Sequence, residues 1–222
     1  MLVMGMIIKK FITEDSMFKL INGIYYSEHI LDLEHNIILQ SVLDSKYYPK
    51  DSKHKSRPNG NEVEPQHTFY EDTNLYDSTY ELLGSTVGKV VDGIFGQGKM
   101  VCEDIWGHII PPMEQTMIHK HGDTMDQDPG VSWVYYPHFP KNSGELNFIS
   151  NVGGKNHLYK TSPSTGKLFI FSKYILHFTP RNSSNIARVS ISGNFRANNG
   201  YKFQLESGDL PNDPYWQYTG KH

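Results

Sequence analysis

Three short groups of polar residues in the second half of the chain have the types and spacing that metal and carboxylate chemistry requires. The first is the run His119-Lys120-His121-Gly122-Asp123. Residues two apart on an extended segment point the same way, so His121 and Asp123 share a face, and His119 shares it if the strand continues. A ligand pair of one imidazole nitrogen and one carboxylate oxygen is suited to divalent iron or manganese. It is poorly suited to metals that prefer thiolate ligands. Isolated His-x-Asp pairs also occur by chance, so this pair needs partners.

The second group is His177, near the end of the apolar run from Leu168 to Phe178. A lone histidine in such a run is more often a core residue than a ligand. With His121 and Asp123 it would form a set of two histidines and one carboxylate. Such a set fills three positions of an octahedral metal and leaves three open for substrate and oxygen.

The third group is the polar face of an amphipathic strand. Arg188, Ser190, Ser192 and Asn194 alternate with mainly apolar residues. A solvated strand fits this period equally well, but serine and asparagine are poor strand formers. A face of small polar residues with one arginine indicates the wall of a wet pocket. Arginine binds carboxylates in a bidentate manner, and Ser190 could donate to the same group.

The region that carries these groups is typical of β-structure. From Val101 onward, short runs of β-branched and aromatic residues are separated by Gly, Pro, Asn and Asp. This pattern predicts an all-β sandwich or barrel. The predicted strands are Val131–Tyr136, Glu145–Ile149, Lys167–Phe171, Tyr174–Phe178 and Arg188–Phe195.

The first hundred residues have apolar positions at roughly helical spacing, and we expect them to be mainly helical. One such stretch runs from Phe18 to Leu43, and another from Asn74 to Phe95. Asp72 or Thr73 could cap the start of the second, and the glycines at 96 and 98 could end it.

The segment 44–64 is polar and has no periodicity, so it is predicted to be a loop. Its basic residues could contact an acidic partner or form a lid, although a plain solvated loop is the simpler interpretation. These residues are Lys50, Lys53, Lys55 and Arg57.

Composition limits the classes of protein that remain. The chain has 222 residues and a net charge of -3, so general nucleic-acid binding is not expected. A single cysteine, Cys102, excludes an internal disulfide framework and multi-cysteine zinc or iron–sulfur sites. The apolar opening from Leu2 to Ile8 is too short to span a bilayer. We therefore expect a soluble cytoplasmic protein that has no membrane partner.

The order His-x-Asp, then His177, then Arg188-x-Ser190 resembles the signature of the Fe(II)- and 2-oxoglutarate-dependent oxygenases. The resemblance covers about Trp106 to Phe195. The local sequences are most similar to a branch of small members that is frequent in marine bacteria and their phages. They are Ile118–His121, Ser132–Tyr136 and Arg188–Asn194.

The resemblance implies two sets of site residues. Three would hold the catalytic iron: His121, Asp123 and His177. Three would bind the C5 carboxylate of 2-oxoglutarate: Arg188, Ser190 and Tyr136.

Several choices stay open beside these residues. Tyr135 is a less favoured alternative to Tyr136, and Asn194 is a weaker candidate for lining the pocket. His119 could replace His121 as the first ligand, since several members of the branch show His-x-His. His121 is preferred because only that choice supplies a carboxylate two residues later.

The fold that the resemblance implies is α+β, mainly β, with a double-stranded β-helix (jelly-roll) core and a helical N-terminal layer. Residues 1–222 would form a single domain, with helical support at 1–100, the catalytic core at 101–197 and an irregular tail at 198–222. The implied reaction uses Fe(II), 2-oxoglutarate and O2 to hydroxylate a substrate, with release of succinate and CO2. The substrate, a small molecule or a protein side chain, is not encoded in the motif. An oligomer is possible, and the location would be the cytoplasm, or the host cytoplasm for a phage protein.

Two other interpretations remain. The three histidines 119, 121 and 177 could form the site of a metallo-cupin that needs no oxoglutarate, but the expected glutamate is missing from residues 122–127 and Arg188 would have no role. Alternatively, the chain could be a non-catalytic jelly-roll that serves as a structural or attachment module. That interpretation predicts no metal binding.

Overall fold

The computed structural model describes residues 19–21, 24–44, 66–68, 78–122, 130–152 and 154–198. Two helices lie in these ranges, α1 (His35–Asp44) and α2 (Ser78–Phe95). The strands in the same ranges are β1 (Lys19–Ile21), β2 (Ile24–Ile30), β3 (Gln66–Thr68), β4 (Met100–Ile110), β5 (Gly130–His138), β6 (Asn147–Val152), β7 (Lys155–Lys160), β8 (Lys167–Ser172), β9 (Leu176–Phe178) and β10 (Arg188–Ala197).

The strands form two antiparallel sheets. The major sheet has seven strands in the order β1-β2-β8-β5-β10-β4-β3, and the minor sheet has three in the order β7-β6-β9. An isolated bridge between His119 and His177 extends the minor sheet beyond β9. An apolar cluster with residues from both sheets fills the space between them. The mainly β architecture with a jelly-roll core and a helical layer is thus confirmed.

Strand β5 shows how the sequence fits this position, because it is buried on both faces. Trp133 and Tyr135 belong to the core cluster that also contains Leu83 and Val87 of α2. Tyr136 belongs to the cluster between the sheets. The period of two thus sends odd-numbered positions toward the helices and even-numbered positions toward the inter-sheet space.

The N-terminal layer is less helical than predicted. Residues 19–21 and 24–30 form β1 and β2, so the helix expected across them is wrong. This segment is extended because β2 pairs with β8, with Tyr26 opposite Phe171. Helical and strand patterns are hard to separate in short apolar runs, and tertiary pairing overrides the local preference.

The second predicted helix is confirmed as α2, which ends at Phe95. Gly96 follows with a φ of 96°, and its N–H donates to the carbonyl oxygen of Asp92, as expected for a glycine that ends a helix. The proposed caps at 72–73, the loop at 45–64 and the tail from 199 lie outside the described residues. Neither described helix is long and apolar enough to cross a membrane.

Candidate metal centre and carboxylate pocket

His177 is a neutral imidazole whose Nδ1 is bonded within its own segment and whose Nε2 faces His121. It lies in β9, opposite Phe148 of β6, and is 5% exposed. Its Nδ1 lies 2.8 Å from the carbonyl oxygen of Ile175, which can only accept, so Nδ1 carries the proton and Nε2 keeps its lone pair. Burial and the neighbouring imidazoles of His119 and His121 hold the pKa of His177 well below its usual value. A neutral imidazole is the form that binds metals.

His119 and His121 meet His177 from the segment before β5. The N–H of His121 donates to the carbonyl oxygen of Lys173 at 2.7 Å, which fixes the backbone of this segment. His121 Nε2 lies 3.2 Å from His177 Nε2. One potential ligand atom from each of the three histidines lies within 4.8 Å of the others. The structure therefore brings together the two predicted histidine ligands and the alternative ligand, His119.

Asp123, the predicted carboxylate ligand, lies outside the described residues, which end at residue 122 before β5.

His119 is held by the same kind of hydrogen bond as His177. Its Nδ1 lies 2.7 Å from the carbonyl oxygen of Met117, so its Nε2 also keeps a lone pair.

The donor set fits a divalent metal ion. Two nitrogen ligands about 2.1 Å from a metal, at adjacent positions, lie about 3 Å apart. The 3.2 Å between the Nε2 atoms of His121 and His177 matches that separation. In both His119 and His177, a backbone carbonyl orients the ring through Nδ1, as is usual for metal-bound histidines.

Arg188, the first residue of β10, is 1% exposed, and the described groups to which it donates hydrogen bonds are neutral. Its Nη1 donates to the carbonyl oxygens of Ser143 and Gly144, and its Nη2 donates to Thr179 Oγ1 at 2.7 Å. A guanidinium group has five N–H donors, so donors remain for a ligand. Burial lowers the pKa of Arg188, while nearby Tyr136 opposes that effect.

No carboxylate pairs with Arg188 in the part of the chain that the structure describes. A buried cation without an anionic partner is costly, whereas its pairing with a carboxylate is favourable. Arg188 is therefore suited to receive an anionic ligand.

Ser190 and Tyr136 lie on the same cavity as Arg188. Burial raises the pKa of Tyr136 to about 12, so its hydroxyl stays protonated and can donate. Tyr135 faces the opposite side of β5, where its hydroxyl lies 2.6 Å from His35 Nδ1. Asn194 is buried and accepts a hydrogen bond from the Ser132 hydroxyl, and it is absent from the cavity wall.

One cavity, with an empty volume of about 490 Å³ that includes its open mouth, joins these groups. Its wall contains every predicted site residue that the structure describes: His121, Tyr136, His177, Arg188 and Ser190.

Sequence reasoning also missed several other residues of this wall, among them Trp106, His108, Thr116 and Thr179. Trp106 and His108 are two apart on β4, and Thr179 is two after His177, so strand alternation could have found these three. Trp106 Nε1 donates to His108 Nε2 at 2.9 Å, and its ring centroid lies 5.4 Å from that of His121.

No protein-family model and no curated protein matches the chain. Solved structures do resemble it. A prolyl-4-hydroxylase from Pseudomonas putida has a TM-score of 0.56 at 16% identity, with 78% of this chain and 92% of that chain covered. The viral collagen prolyl hydroxylase of Paramecium Bursaria Chlorella virus-1, in complex with 2-oxoglutarate, has a TM-score of 0.55 at 15% identity, with 78% and 96% covered.

A third similar structure is HygX from Streptomyces hygroscopicus, with nickel and 2-oxoglutarate bound. Its TM-score is 0.58 at 8% identity, and the match covers 80% of this chain and 84% of that chain. The chain therefore has the double-stranded β-helix fold found in Fe(II)- and 2-oxoglutarate-dependent oxygenases.

Proposed function

We propose that this protein is an Fe(II)- and 2-oxoglutarate-dependent oxygenase that hydroxylates a substrate and releases succinate and CO2. The observation that carries the proposal is a buried arginine that has no carboxylate partner among the described residues and lies on the same cavity as converging histidines. A metal-binding group and an anion-binding group facing one pocket fit a cosubstrate with an oxo acid at one end and a carboxylate at the other.

His121 and His177 would hold the iron with Asp123 as the third ligand, and the metal would supply activation of dioxygen coupled to oxidative decarboxylation of 2-oxoglutarate. Arg188 would bind the C5 carboxylate and set the orientation of the cosubstrate. The Tyr136 hydroxyl, protonated because burial raises its pKa to about 12, would add a neutral donor.

The inter-sheet cluster would exclude water from this end of the pocket. Phe171 and Leu146 lie on the cavity wall beside Tyr136, and all three are at most 4% exposed. The contact between Arg188 and a carboxylate would therefore be formed in a dry environment, where it is stronger than at the surface.

The three-histidine metallo-cupin is a second candidate, because the ligand atoms of His119, His121 and His177 all lie within 4.8 Å. The metallo-cupin explains the metal-binding geometry but gives Arg188 no role. The oxygenase accounts for both features, so we prefer it.

The test is anaerobic addition of Fe(II) to the metal-free protein, followed by 2-oxoglutarate, with absorption followed in the visible region. The oxygenase predicts a weak metal-to-ligand charge-transfer band that requires both additions, and formation of succinate once oxygen is admitted. Metal uptake without the band would favour the metallo-cupin. Absence of metal uptake would favour a non-catalytic module.

A further inference from the structure

Two threonines beside Arg188 form a hydrogen-bonded pair that the family signature does not include. Thr116 precedes the histidine segment, and Thr179 follows β9. The Thr179 N–H donates to Thr116 Oγ1 at 2.7 Å, and the Thr116 N–H donates to the Thr179 carbonyl oxygen at 3.1 Å. Their hydroxyl oxygens lie 2.7 Å apart. Both residues line the cavity.

The hydrogen bonds of this pair leave one hydroxyl proton uncommitted. If Thr179 donates to Thr116, then Thr116 Oγ1 accepts two hydrogen bonds, from the N–H and the O–H of Thr179, and its own proton remains. If Thr116 donates instead, then Thr179 Oγ1 accepts from Thr116 and from Arg188 Nη2, and the Thr179 proton remains. Neither hydroxyl has another acceptor among the described residues.

The position of the pair determines what the remaining proton can reach. Arg188 Nη2 lies 2.7 Å from Thr179 Oγ1, so an anion bound by this guanidinium comes within reach of the neighbouring hydroxyl. In either arrangement, the hydroxyl that keeps the uncommitted proton has both of its lone pairs occupied, so that hydroxyl can only donate and requires an acceptor. A carboxylate is an acceptor only.

We infer that the Thr116–Thr179 pair donates its uncommitted hydroxyl proton to the distal carboxylate of the cosubstrate bound at Arg188. This inference rests on the proposed function and adds the pair to the cosubstrate pocket. It makes the pair a determinant of specificity for 2-oxo acids with a second carboxylate.

The experiment measures binding of two 2-oxo acids to the Mn(II)-loaded protein by titration calorimetry. They are 2-oxoglutarate and 2-oxovalerate, which has the same number of carbons but no distal carboxylate. The test variant is the double substitution Thr116→Val with Thr179→Val, because either hydroxyl alone would retain a free proton. The double substitution to serine keeps both hydroxyls, and Thr86→Val on α2 is a remote control.

The valine pair should bind 2-oxoglutarate about 10- to 100-fold more weakly, as expected for loss of a hydrogen bond to a charged group. Its affinity for 2-oxovalerate and for Mn(II) should stay within about twofold of the original protein, and the serine pair should restore 2-oxoglutarate binding. Equal loss for both acids, or no loss for 2-oxoglutarate, would overturn the inference and leave the proposed function standing. Failure of the unaltered protein to bind 2-oxoglutarate would overturn both.

Discussion

The Nε2 atoms of His121 and His177 lie 3.2 Å apart, although the residues are separated by 56 positions in the chain. His177 lies in β9, and the backbone of His121 is fixed by the carbonyl oxygen of Lys173, which precedes β9. A residue of β9 and a segment that is hydrogen-bonded to the turn before β9 thus place two imidazoles at the separation of adjacent metal ligands.

Substitution of either histidine should abolish tight metal binding. We expect His121→Ala and His177→Ala to lower the affinity for Mn(II) at least about 100-fold, because each removes a ligand nitrogen from the metal. Calorimetric titration of the metal-free proteins measures this change. His157→Ala is the control, since His157 is exposed on β7 and should leave the affinity unchanged. Equal affinity in all three variants would contradict the assignment.

The third ligand can be identified by comparing Asp123→Ala with His119→Ala. Because a ligand set of two histidines and one carboxylate requires Asp123, the first variant should lose Mn(II) binding and succinate formation. His119→Ala should keep measurable Mn(II) binding and succinate formation, with each lowered by no more than about 10- to 100-fold, the range for loss of a side chain beside the ligands. The reverse result would assign the site to three imidazoles.

Loss of the guanidinium should weaken binding of 2-oxoglutarate without affecting the metal. A hydrogen bond to a charged group contributes about 1.5–3 kcal/mol, so Arg188→Met should raise the Kd for 2-oxoglutarate about 10- to 100-fold. Arg196→Met is a matched control on the same strand, because the Arg196 side chain is 47% exposed. Unchanged 2-oxoglutarate binding in Arg188→Met would show that Arg188 does not bind the carboxylate.

Gly144 allows the loop before β6 to approach Arg188. It has a φ of 92°, and an added Cβ would lie 2.6 Å from the Pro180 carbonyl oxygen and 3.1 Å from Arg188 Nη1. We expect Gly144→Ala to lower the free energy of unfolding by about 2–3 kcal/mol, from backbone strain and overlap together. Gly154→Ala should cost only about 1 kcal/mol, because its φ is 75° but its Cβ would meet no atom within 4 Å. Denaturant unfolding of both variants checks the difference, and equal losses would contradict it.

The free energy of unfolding should depend on pH below 7 because of Asp104. Burial raises the pKa of Asp104 from 3.8 to about 6. The folded protein therefore holds this proton more tightly than the unfolded chain, so the contribution of Asp104 is most favourable at low pH and is lost as pH rises from about 4 to above 6. Asp104→Asn should remove this dependence and raise stability at pH 7 by about 1 kcal/mol, after allowance for solvent screening. Melting temperatures at pH 4 and pH 7 measure the change; an identical pH slope in both proteins would contradict it.

Strand alternation made much of the site predictable. The period of two in Arg188–Asn194 placed Ser190 on the wall of a pocket, and Ser190 lines the cavity. Tyr136 was preferred to Tyr135 because of the family resemblance; Tyr136 lines the cavity, and Tyr135 faces the other side of β5. An all-β sandwich or barrel was predictable because its strands are short and bounded by turn residues, whereas the jelly-roll was implied by the family resemblance.

The anchors of Arg188 could not be predicted, because Ser143 and Gly144 reach it from a loop that is distant in sequence. Thr179 was within reach of prediction from its spacing to His177. The strands β1 and β2 were mistaken for helix because their apolar spacing fits both structures. The Asn-Gly dipeptide at residues 22–23, a strong hairpin signal, favours the strands that are observed on either side of it.

The most direct test of the metal and carboxylate site is a crystal structure of the protein with Mn(II) and 2-oxoglutarate, with the metal located by anomalous scattering. We expect one ion about 2–2.3 Å from Nε2 of both His121 and His177, and a carboxylate within hydrogen-bond distance of the Arg188 guanidinium. An ion bound elsewhere, or a 2-oxoglutarate molecule that leaves Arg188 without an anionic partner, would contradict this expectation.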